Sequence, residues 1–259
     1  MYADVTDIAR DAMVFRAKLQ RTKAMLEPDT FWYPYDSLSN FVHFDHMLQG
    51  ENRGVFEQLR NRTIADIGAA DGDMAFFFES LGNAVDVIDH APTNFNGLRG
   101  VERLRNHLDS SVTIHDVDLD RAFRLPREHY DVAFFLGILY HLKNPYAIME
   151  SLAERVDTCF LSTKVTRFAG FPPLLIDSLP VAYLLDRHEA NNDPTNFWVF
   201  TTAGLRRLLD RTGWDVLDYT TVGNTLNSDP SSPEGDERAF CYLQSRHSTG
   251  ARKSVLASL

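Results

Sequence analysis

Apolar positions at the start of the chain recur every three or four residues, as at Ile8, Ala12 and Leu19. This period predicts one amphipathic helix over residues 4–27, which Pro28 ends. The opposite face of this helix carries Arg10, Arg16, Lys18, Arg21 and Lys23. We expect the basic face to be solvated, because charge runs on packing helices usually face water.

The following segment is dense in aromatic residues and has no regular period. Aromatic side chains can roof a ligand pocket, or they can form a second small core beneath the first helix. The pattern leaves both interpretations open. Trp32, Tyr33 and His43 are therefore candidate acceptor contacts, together with Trp198 further along. We assign residues 1–54 to the helix and this aromatic cap.

Strands and helices alternate through the middle of the chain. The predicted strands cover residues 63–67, 84–88, 112–115, 130–139 and 158–164, and the predicted helices between them cover residues 74–81, 97–108 and 145–156. Near-continuous apolar strands in such an alternation favour a mostly parallel, Rossmann-like α/β sheet with helices on both faces. A helix over residues 201–212 and an antiparallel pair of strands, 214–221 and 238–244, complete the predicted domain.

Residues 165–200 interrupt this alternation with Pro172, Pro173, Pro180 and Pro194. A stretch of this length inside a compact domain usually has secondary structure of its own. We therefore expect helices that form a cap or lid. The predicted domain spans residues 55–245 with this insertion, and residues 246–259 are expected to be a flexible tail.

The composition restricts the partners of the chain. Its 259 residues carry a net charge of −10, which disfavours nucleic acid, because phosphate contacts need a basic surface. Cys159 and Cys241 suggest neither a disulfide framework nor a zinc site, so we expect a cytoplasmic protein. The apolar run over residues 132–140 is too short to span a bilayer. The sequence does not decide whether two copies of the chain pack together through the aromatic segment as a homodimer.

Small residues follow the first predicted strand, in the run from Asp66 through Gly68 and Ala69 to Gly72. Glycine has no Cβ, so its backbone can approach a ligand closely. The amide groups that begin the next helix can meet polar or anionic ligand groups. The nicotinamide fingerprint G-x-G-x-x-G is not present. We therefore predict a ligand-binding turn of another class.

Acidic residues end the next two strands. Asp89 stands where an acid accepts hydrogen bonds from the ribose hydroxyls of a nucleoside. Asp116, followed by Val117, ends the third strand, where an adenine amino group would be read. Each acid alone could simply cap a turn. Acids at three neighbouring strand ends, with His90 and Leu136 nearby, predict a nucleoside site.

These residues, together with residues 130–141, resemble class I S-adenosylmethionine-dependent methyltransferases over roughly residues 55–245. The resemblance implies a seven-stranded sheet whose last strand is antiparallel, with S-adenosylmethionine (SAM) as cofactor and S-adenosylhomocysteine (SAH) as product. It also implies contacts to the methionine part by Asp66, Gly68 and Gly72, to the ribose by Asp89, and to the adenine by Asp116 and Val117. Ala70 departs from the pattern, because many members have a third glycine there.

Residues 137–145 and 191–198 also resemble the tRNA wobble-uridine carboxymethyltransferase group and its uncharacterised relatives. That group uses a carboxylated cofactor, which implies a positive side chain, a lysine, ahead of the first strand. No lysine lies between Lys23 and Lys143, and only His43 or Arg53 could substitute. This departure favours the ordinary methyl donor, and the negative net charge of the chain disfavours tRNA as a substrate.

Tyr140 and His141 follow the fourth predicted strand, where a methyl acceptor would lie. A methyl group on a sulfonium is already electrophilic, so the protein supplies alignment and a base. Tyr140 would orient the cofactor or the acceptor. His141, with an ordinary pKa of about 6.5, suits deprotonation of an alcohol or phenol, although a structural role is the alternative. We expect Arg238 to be a solvated strand-end charge.

The sequence thus predicts a methyltransferase that acts on a small molecule, with oxygen as the favoured acceptor atom. Two alternatives stay open: a tRNA-modifying enzyme of the carboxymethyl type, and a SAM-binding subunit without catalytic activity. The spacing of His43, Asp45 and His46 is not diagnostic of a metal site, and we expect no metal.

Overall fold

The computed structural model describes residues 4–26, 31–121, 124–231 and 235–248. The chain divides into two compact units, Met1–Phe134 and Phe135–Leu259. Among the described residues, no helix is long and apolar enough to cross a membrane.

The first unit starts with helices and continues with alternating strands and helices. It contains α1 (Val5–Leu26), a 3-10 helix (Ser37–Ser39), α2 (Asn40–Met47), a second 3-10 helix (Gly50–Gln58), β1 (Thr63–Ile67), α3 (Asp73–Ser80), β2 (Ala84–Asp89), α4 (Arg99–Leu108), β3 (Thr113–Asp116) and β4 (Tyr130–Leu136), whose last residues belong to the second unit. These bounds confirm the predicted alternation closely.

The strands of the first unit follow the order β4, β1, β2, β3. β1 and β2 are parallel, with Ile67 opposite Ile88. β2 and β3 are also parallel, with Asp89 opposite Asp116. Because parallel strands end at the same edge, this register places the two acids next to each other beside the turn that follows β1.

Buried phenylalanines fill the core of the first unit. Phe78 stacks on Phe134 with 4.6 Å between ring centroids, and Phe41 contacts Phe77 at 5.4 Å. Phe44 packs on Phe134 as well. Such pairs contribute about 0.5–1.5 kcal/mol each beyond their buried area. Phe41 and Phe44 of the aromatic segment are thus part of a core, one of the two interpretations that the sequence left open.

The second unit contains α5 (Pro145–Ala153), β5 (Val156–Val165), β6 (Phe168–Ala169), β7 (Leu174–Leu175), β8 (Ala182–Leu184), β9 (Trp198–Phe200), α6 (Thr202–Arg211), β10 (Trp214–Gly223) and β11 (Glu237–Ser245). Thr201 caps α6 by accepting the Gly204 N–H, as predicted. β11 is antiparallel to both β5 and β10. The antiparallel last strand and a mixed, mostly parallel α/β fold are confirmed. The described strands of the main sheet number nine rather than the predicted seven, because β8 and β9 also join it.

The expected helices within residues 165–200 are absent, and that prediction was wrong. All residues of this segment are described, and they form β6 to β9 joined by turns. Pro172, Pro173 and Pro180 interrupt the apolar stretch over residues 168–185, and proline disfavours a helix there because it lacks the N–H donor of the helical ladder. β9 instead pairs with β5, Val165 opposite Phe200, and with β8.

Two further boundaries differ from the sequence prediction. β4 ends at Leu136 rather than at residue 139, because Gly137 turns the chain with a φ of 73°. In the predicted tail, Ser248 is buried and Arg246 pairs with Asp210. Residues 249–259 of that tail lie outside the described residues.

Candidate functional site

The turn from Gly68 to Gly72, called the glycine turn below, requires left-handed backbone. Gly68, Ala70 and Gly72 have φ values of 69°, 54° and 80°. A Cβ at Gly72 would lie 2.7 Å from a methyl group of Val101, so only glycine fits there. Ala70 adopts this left-handed conformation, which costs a non-glycine residue roughly 1–3 kcal/mol. The turn leads directly into α3, whose first amide groups carry the positive end of the helix dipole.

Asp66 lies buried near the end of β1. Burial raises the pKa of this carboxyl to about 7, against the opposing effect of the Ala75 backbone N–H. Within the described part of the chain, its Oδ2 atom has no hydrogen-bond partner. An unsatisfied buried polar group costs about 1–3 kcal/mol. A ligand donor at this position would remove that cost.

Asp89 already accepts three hydrogen bonds from the protein. The donors are the N–H groups of Ala70 at 3.0 Å and His90 at 2.7 Å, and the Asn94 amide at 2.9 Å. Burial raises the pKa of Asp89, and these donors oppose the increase. A carboxylate has about four acceptor positions. One ribose hydroxyl therefore has a position available, and a second would have to replace the Asn94 amide.

Asp116 is held by the residues that follow Asp89. It accepts the Ala91 N–H at 3.0 Å and lies 3.0 Å from His90 Nδ1. These contacts lower the pKa of Asp116. The Val117 N–H donates to the Asp89 carbonyl at 2.9 Å. Hydrogen bonds therefore link the residues that were predicted to contact ribose and adenine. These residues, Asp89, His90, Asp116 and Val117, hold each other in position at one edge of the sheet.

Lys23 of α1 reaches the glycine turn and does not lie in solvent, contrary to the expectation for the basic face. Its Nζ atom is 3.0 Å from Asp71 Oδ2 and 2.8 Å from Asp73 Oδ1. Burial alone would lower the pKa of Lys23, but the two carboxylates outweigh it and raise the pKa. Asp71 also accepts the Tyr33 N–H and the Asn96 amide. A helix distant in sequence thus fixes the turn.

The predicted acceptor contacts of the first unit lie beside the glycine turn or on α2. The Trp32 Nε1–H donates to the Lys23 carbonyl at 3.0 Å, and Tyr33 binds Asp71 through its backbone. His43 lies on α2, whose neighbouring phenylalanines enter the core. Arg53 pairs with Asp4 and Asp45, at 2.7 and 2.6 Å.

Tyr140 lies near two cations in the second unit. Arg238 Nη1 donates to its hydroxyl at 3.4 Å, and the guanidinium carbon lies 5.7 Å from the ring centroid. Lys164 Nζ lies 5.8 Å from the same centroid. Burial raises the pKa of Tyr140, with Arg238 opposing, so the phenol keeps its proton at neutral pH. Arg238 is therefore not the isolated solvated charge that we expected.

The cross-strand register explains how these cations come together. Arg238 of β11 stands directly opposite Lys164 of β5. Like charges in this position destabilise a sheet. Asp236 compensates, because its carboxylate bonds Lys164 Nζ and lies 3.6 Å from Arg238 Nε. The sequence analysis did not identify Lys164 and Asp236 as site residues. The pattern that could have indicated Lys164 is a lysine near the end of an apolar strand.

His141 has a tautomer that its neighbours determine. Its Nδ1 atom lies 3.1 Å from the Thr195 carbonyl and 3.0 Å from Thr195 Oγ1. Thr195 Oγ1 donates its only proton to Asp193 at 2.6 Å. Both Thr195 oxygens can therefore only accept from His141, so Nδ1 carries the proton and Nε2 the lone pair. Burial lowers the pKa of His141, with Thr195 and Asp193 opposing, which keeps the ring neutral at pH 7.

Two remaining candidates lie in the second unit. Trp198 is half-buried on β9, and its Nε1 atom lies 3.4 Å from the Lys143 carbonyl. The neighbouring Phe197 N–H donates to the Tyr140 carbonyl at 2.8 Å, which fixes this segment to the Tyr140 backbone. Leu136 is the half-buried last residue of β4.

Comparison with known proteins gives a fold but no family. No family model matches the chain, and no curated protein matches it. The N-terminal domain of EvdMO1, solved with SAH bound, is 17% identical, with a TM-score of 0.55 over 89% of this chain and 96% of the other. The same domain was also solved in the presence of SAH and D-fucose, at 16% identity and the same TM-score and coverage.

A SAM-dependent methyltransferase from Mesorhizobium loti is a further structural neighbour. It is 13% identical, with a TM-score of 0.53 over 80% of this chain and 97% of the other. At such identities the likeness establishes the Rossmann-like methyltransferase fold and leaves the activity to be argued from the site.

Proposed function

We propose that the chain is a SAM-dependent methyltransferase that methylates an oxygen atom of a small molecule. One observation supports the cofactor above all others. The parallel register places Asp89 beside Asp116 at the edge where the glycine turn follows β1. Structural neighbours with the same fold were solved with SAH, which supports the same cofactor here.

The residues of the first unit fit an adenosine that carries an amino acid. Asp66 Oδ2 is a buried acceptor without a partner among the described residues, and a ligand ammonium would satisfy it. Asp89 retains acceptor capacity for a ribose hydroxyl. Bound SAM supplies an electrophilic methyl group, whose C–S bond breaks toward sulfur, giving SAH, as the acceptor oxygen forms the new bond.

In this proposal the residues of the second unit serve the acceptor. His141 is neutral, and Nε2 accepts the proton of the acceptor hydroxyl as the new O–C bond forms. Thr195 keeps the proton on Nδ1. The Tyr140 phenol accepts from Arg238 and has its own proton to donate to the acceptor. An alcohol must lose a proton to become an ether, so a base of this kind favours oxygen.

The ordinary donor fits better than a carboxylated one. The charge of Lys23 is balanced by Asp71 and Asp73, and the charge of Arg53 by Asp4 and Asp45. Neither cation is available for an additional carboxylate. A tRNA enzyme of the carboxymethyl type is therefore the weaker candidate. The ordered contacts of His141 likewise favour an active enzyme over an inactive SAM-binding subunit.

The direct test uses SAM labelled with ¹³C in its methyl group. The full chain is incubated with separate pools of sugars, alcohols, phenols, amines and total tRNA, and each pool is read by mass spectrometry. We expect SAH together with a labelled methyl ether in a small-molecule pool. Label in tRNA or only in the amine pool, or bound cofactor with no labelled product in any pool, would contradict the proposal.

A further inference from the structure

Asn94 follows β2 and connects the predicted ribose acid to the glycine turn. Its Nδ2 atom donates to Asp89 Oδ2 at 2.9 Å and to the Ala70 carbonyl at 3.2 Å. Its Oδ1 atom accepts the N–H groups of Asn96 and Leu98, both at 3.1 Å. Carboxylate and carbonyl oxygens only accept here, and backbone N–H groups only donate, so these partners determine the orientation of the amide. All four hydrogen-bonding positions of the Asn94 amide are thus used.

The two carboxylate oxygens of Asp89 are occupied unequally. Oδ2 accepts both the Ala70 N–H at 3.0 Å and the Asn94 amide. Among the residues that the structure describes, Oδ1 accepts the His90 N–H alone, at 2.7 Å. Each carboxylate oxygen has two lone pairs. Oδ2 is therefore full, and the remaining acceptor position of Asp89 is a single one, on Oδ1.

The contacts of Ala70 explain why Asn94 should keep its place when a nucleoside binds. The Ala70 N–H bonds Asp89 and the Ala70 carbonyl bonds Asn94, so the peptide groups on both sides of its Cα are fixed. Left-handed backbone at a non-glycine residue persists only where the surroundings impose it. A ribose hydroxyl that replaced the Asn94 amide would gain one bond to Asp89. It would release the Ala70 carbonyl and separate the amide from its other partners, so displacement loses more hydrogen bonds than it gains.

We infer that Asn94 occupies the place of one ribose hydroxyl, so that Asp89 binds only the other hydroxyl of the cofactor. The inference rests on the proposed function, because the ligand is the nucleoside of SAM. Asn94 is then a positioning residue that holds the glycine turn and limits how the ribose is recognised. The site should consequently tolerate the loss of one ribose hydroxyl and not of the other.

Calorimetric titration of the full chain with SAH, 2′-deoxy-SAH and 3′-deoxy-SAH tests this inference. One deoxy analogue should bind about tenfold or more weakly than SAH, because it loses a hydrogen bond to a carboxylate. The other analogue should bind within about twofold of SAH, since its missing hydroxyl makes no bond to Asp89. Similar losses for both analogues, or no loss for either, would overturn the inference.

The Asn94→Ser variant tests the role of Asn94 itself. A serine hydroxyl can still accept from the backbone N–H groups of the turn, but its side chain is too short to reach Asp89. Oδ2 then has a position for the second ribose hydroxyl. The analogue that the unmodified chain tolerates should therefore bind the variant about fivefold or more weakly than SAH does. A merely structural role would weaken SAH and both analogues by the same factor, and that result would overturn the inference.

Asn106→Ser is the matched control, because Asn106 is an exposed asparagine on α4. Its affinities for SAH and for both analogues should equal those of the unmodified chain. The same titrations separate the two possible failures. SAH binding with similar losses for both analogues contradicts only the inference about Asn94, whereas no SAH binding by the folded, unmodified chain contradicts the proposed function itself.

Discussion

Replacing Lys23 by methionine should lower the free energy of unfolding by about 3–5 kcal/mol, the usual cost of removing one partner of a buried ion pair. Asp71 is 2% exposed and Asp73 is 8% exposed, so both carboxylates would be left buried without their cation. Methionine keeps most of the apolar stem, which separates the effect of charge from that of packing. Urea denaturation at pH 7 measures the change.

Lys18→Met provides the matched control, because Lys18 is an exposed lysine on the same helix. Exposed substitutions of this kind usually change stability by less than about 0.5 kcal/mol. Adding Asp73→Asn to the Lys23→Met variant should recover part of the loss, since it removes one uncompensated charge. Equal stability of the Lys18 and Lys23 variants would show that the ion pairs do not hold the glycine turn.

Replacing His141 by glutamine should lower kcat about 10²- to 10⁴-fold, the usual contribution of a general base. The glutamine amide can still donate to Thr195, but it cannot accept a proton from the acceptor. The affinity for SAH should stay unchanged, because none of the residues proposed to bind the cofactor is altered. Initial rates and calorimetric titration with SAH measure the two quantities separately.

The pH dependence of the unmodified enzyme gives an independent check on His141. Burial lowers the pKa of this imidazole, Arg238 and Lys164 act in the same direction, and Thr195 and Asp193 oppose them. The base is active when unprotonated. At saturating SAM, where the bound ammonium keeps Asp66 ionised, kcat/KM for the acceptor should therefore be constant near pH 7 and fall on acidification. The midpoint of the fall should lie below the ordinary value of about 6.5. A midpoint above that value, or full activity of His141→Gln, would exclude His141 as the base.

Local signals explain why much of the fold could be predicted from the sequence. Thr201 and Gly213 bound α6 by the usual capping preferences. The apolar run of β1 and the small residues after it fix the glycine turn, and parallel pairing then brings Asp89 and Asp116 to one edge. Each of these inferences needs only neighbouring residues and a general rule of sheet geometry.

The missed features depend on contacts between residues distant in sequence. Lys23 meets Asp71 across 48 positions, and its helix looks like any other basic surface helix. Lys164 and Arg238 face each other only because of the register of β5 and β11. His141 depends on Thr195, which lies 54 positions away. Strands of two or three residues, such as β6 and β7, are too short to show a period.

Calorimetric titration of the full chain with SAH tests the central claim most directly, namely that the edge formed by the glycine turn, Asp89 and Asp116 binds an adenosine. We predict saturable binding of one SAH per chain. Asp89→Ala should weaken it about tenfold or more, as expected for the loss of a charge-assisted hydrogen bond, while Glu102→Ala at the exposed surface should have no effect. Absence of binding by the folded, unmodified chain, or equal affinity of the Asp89 variant, would contradict the account.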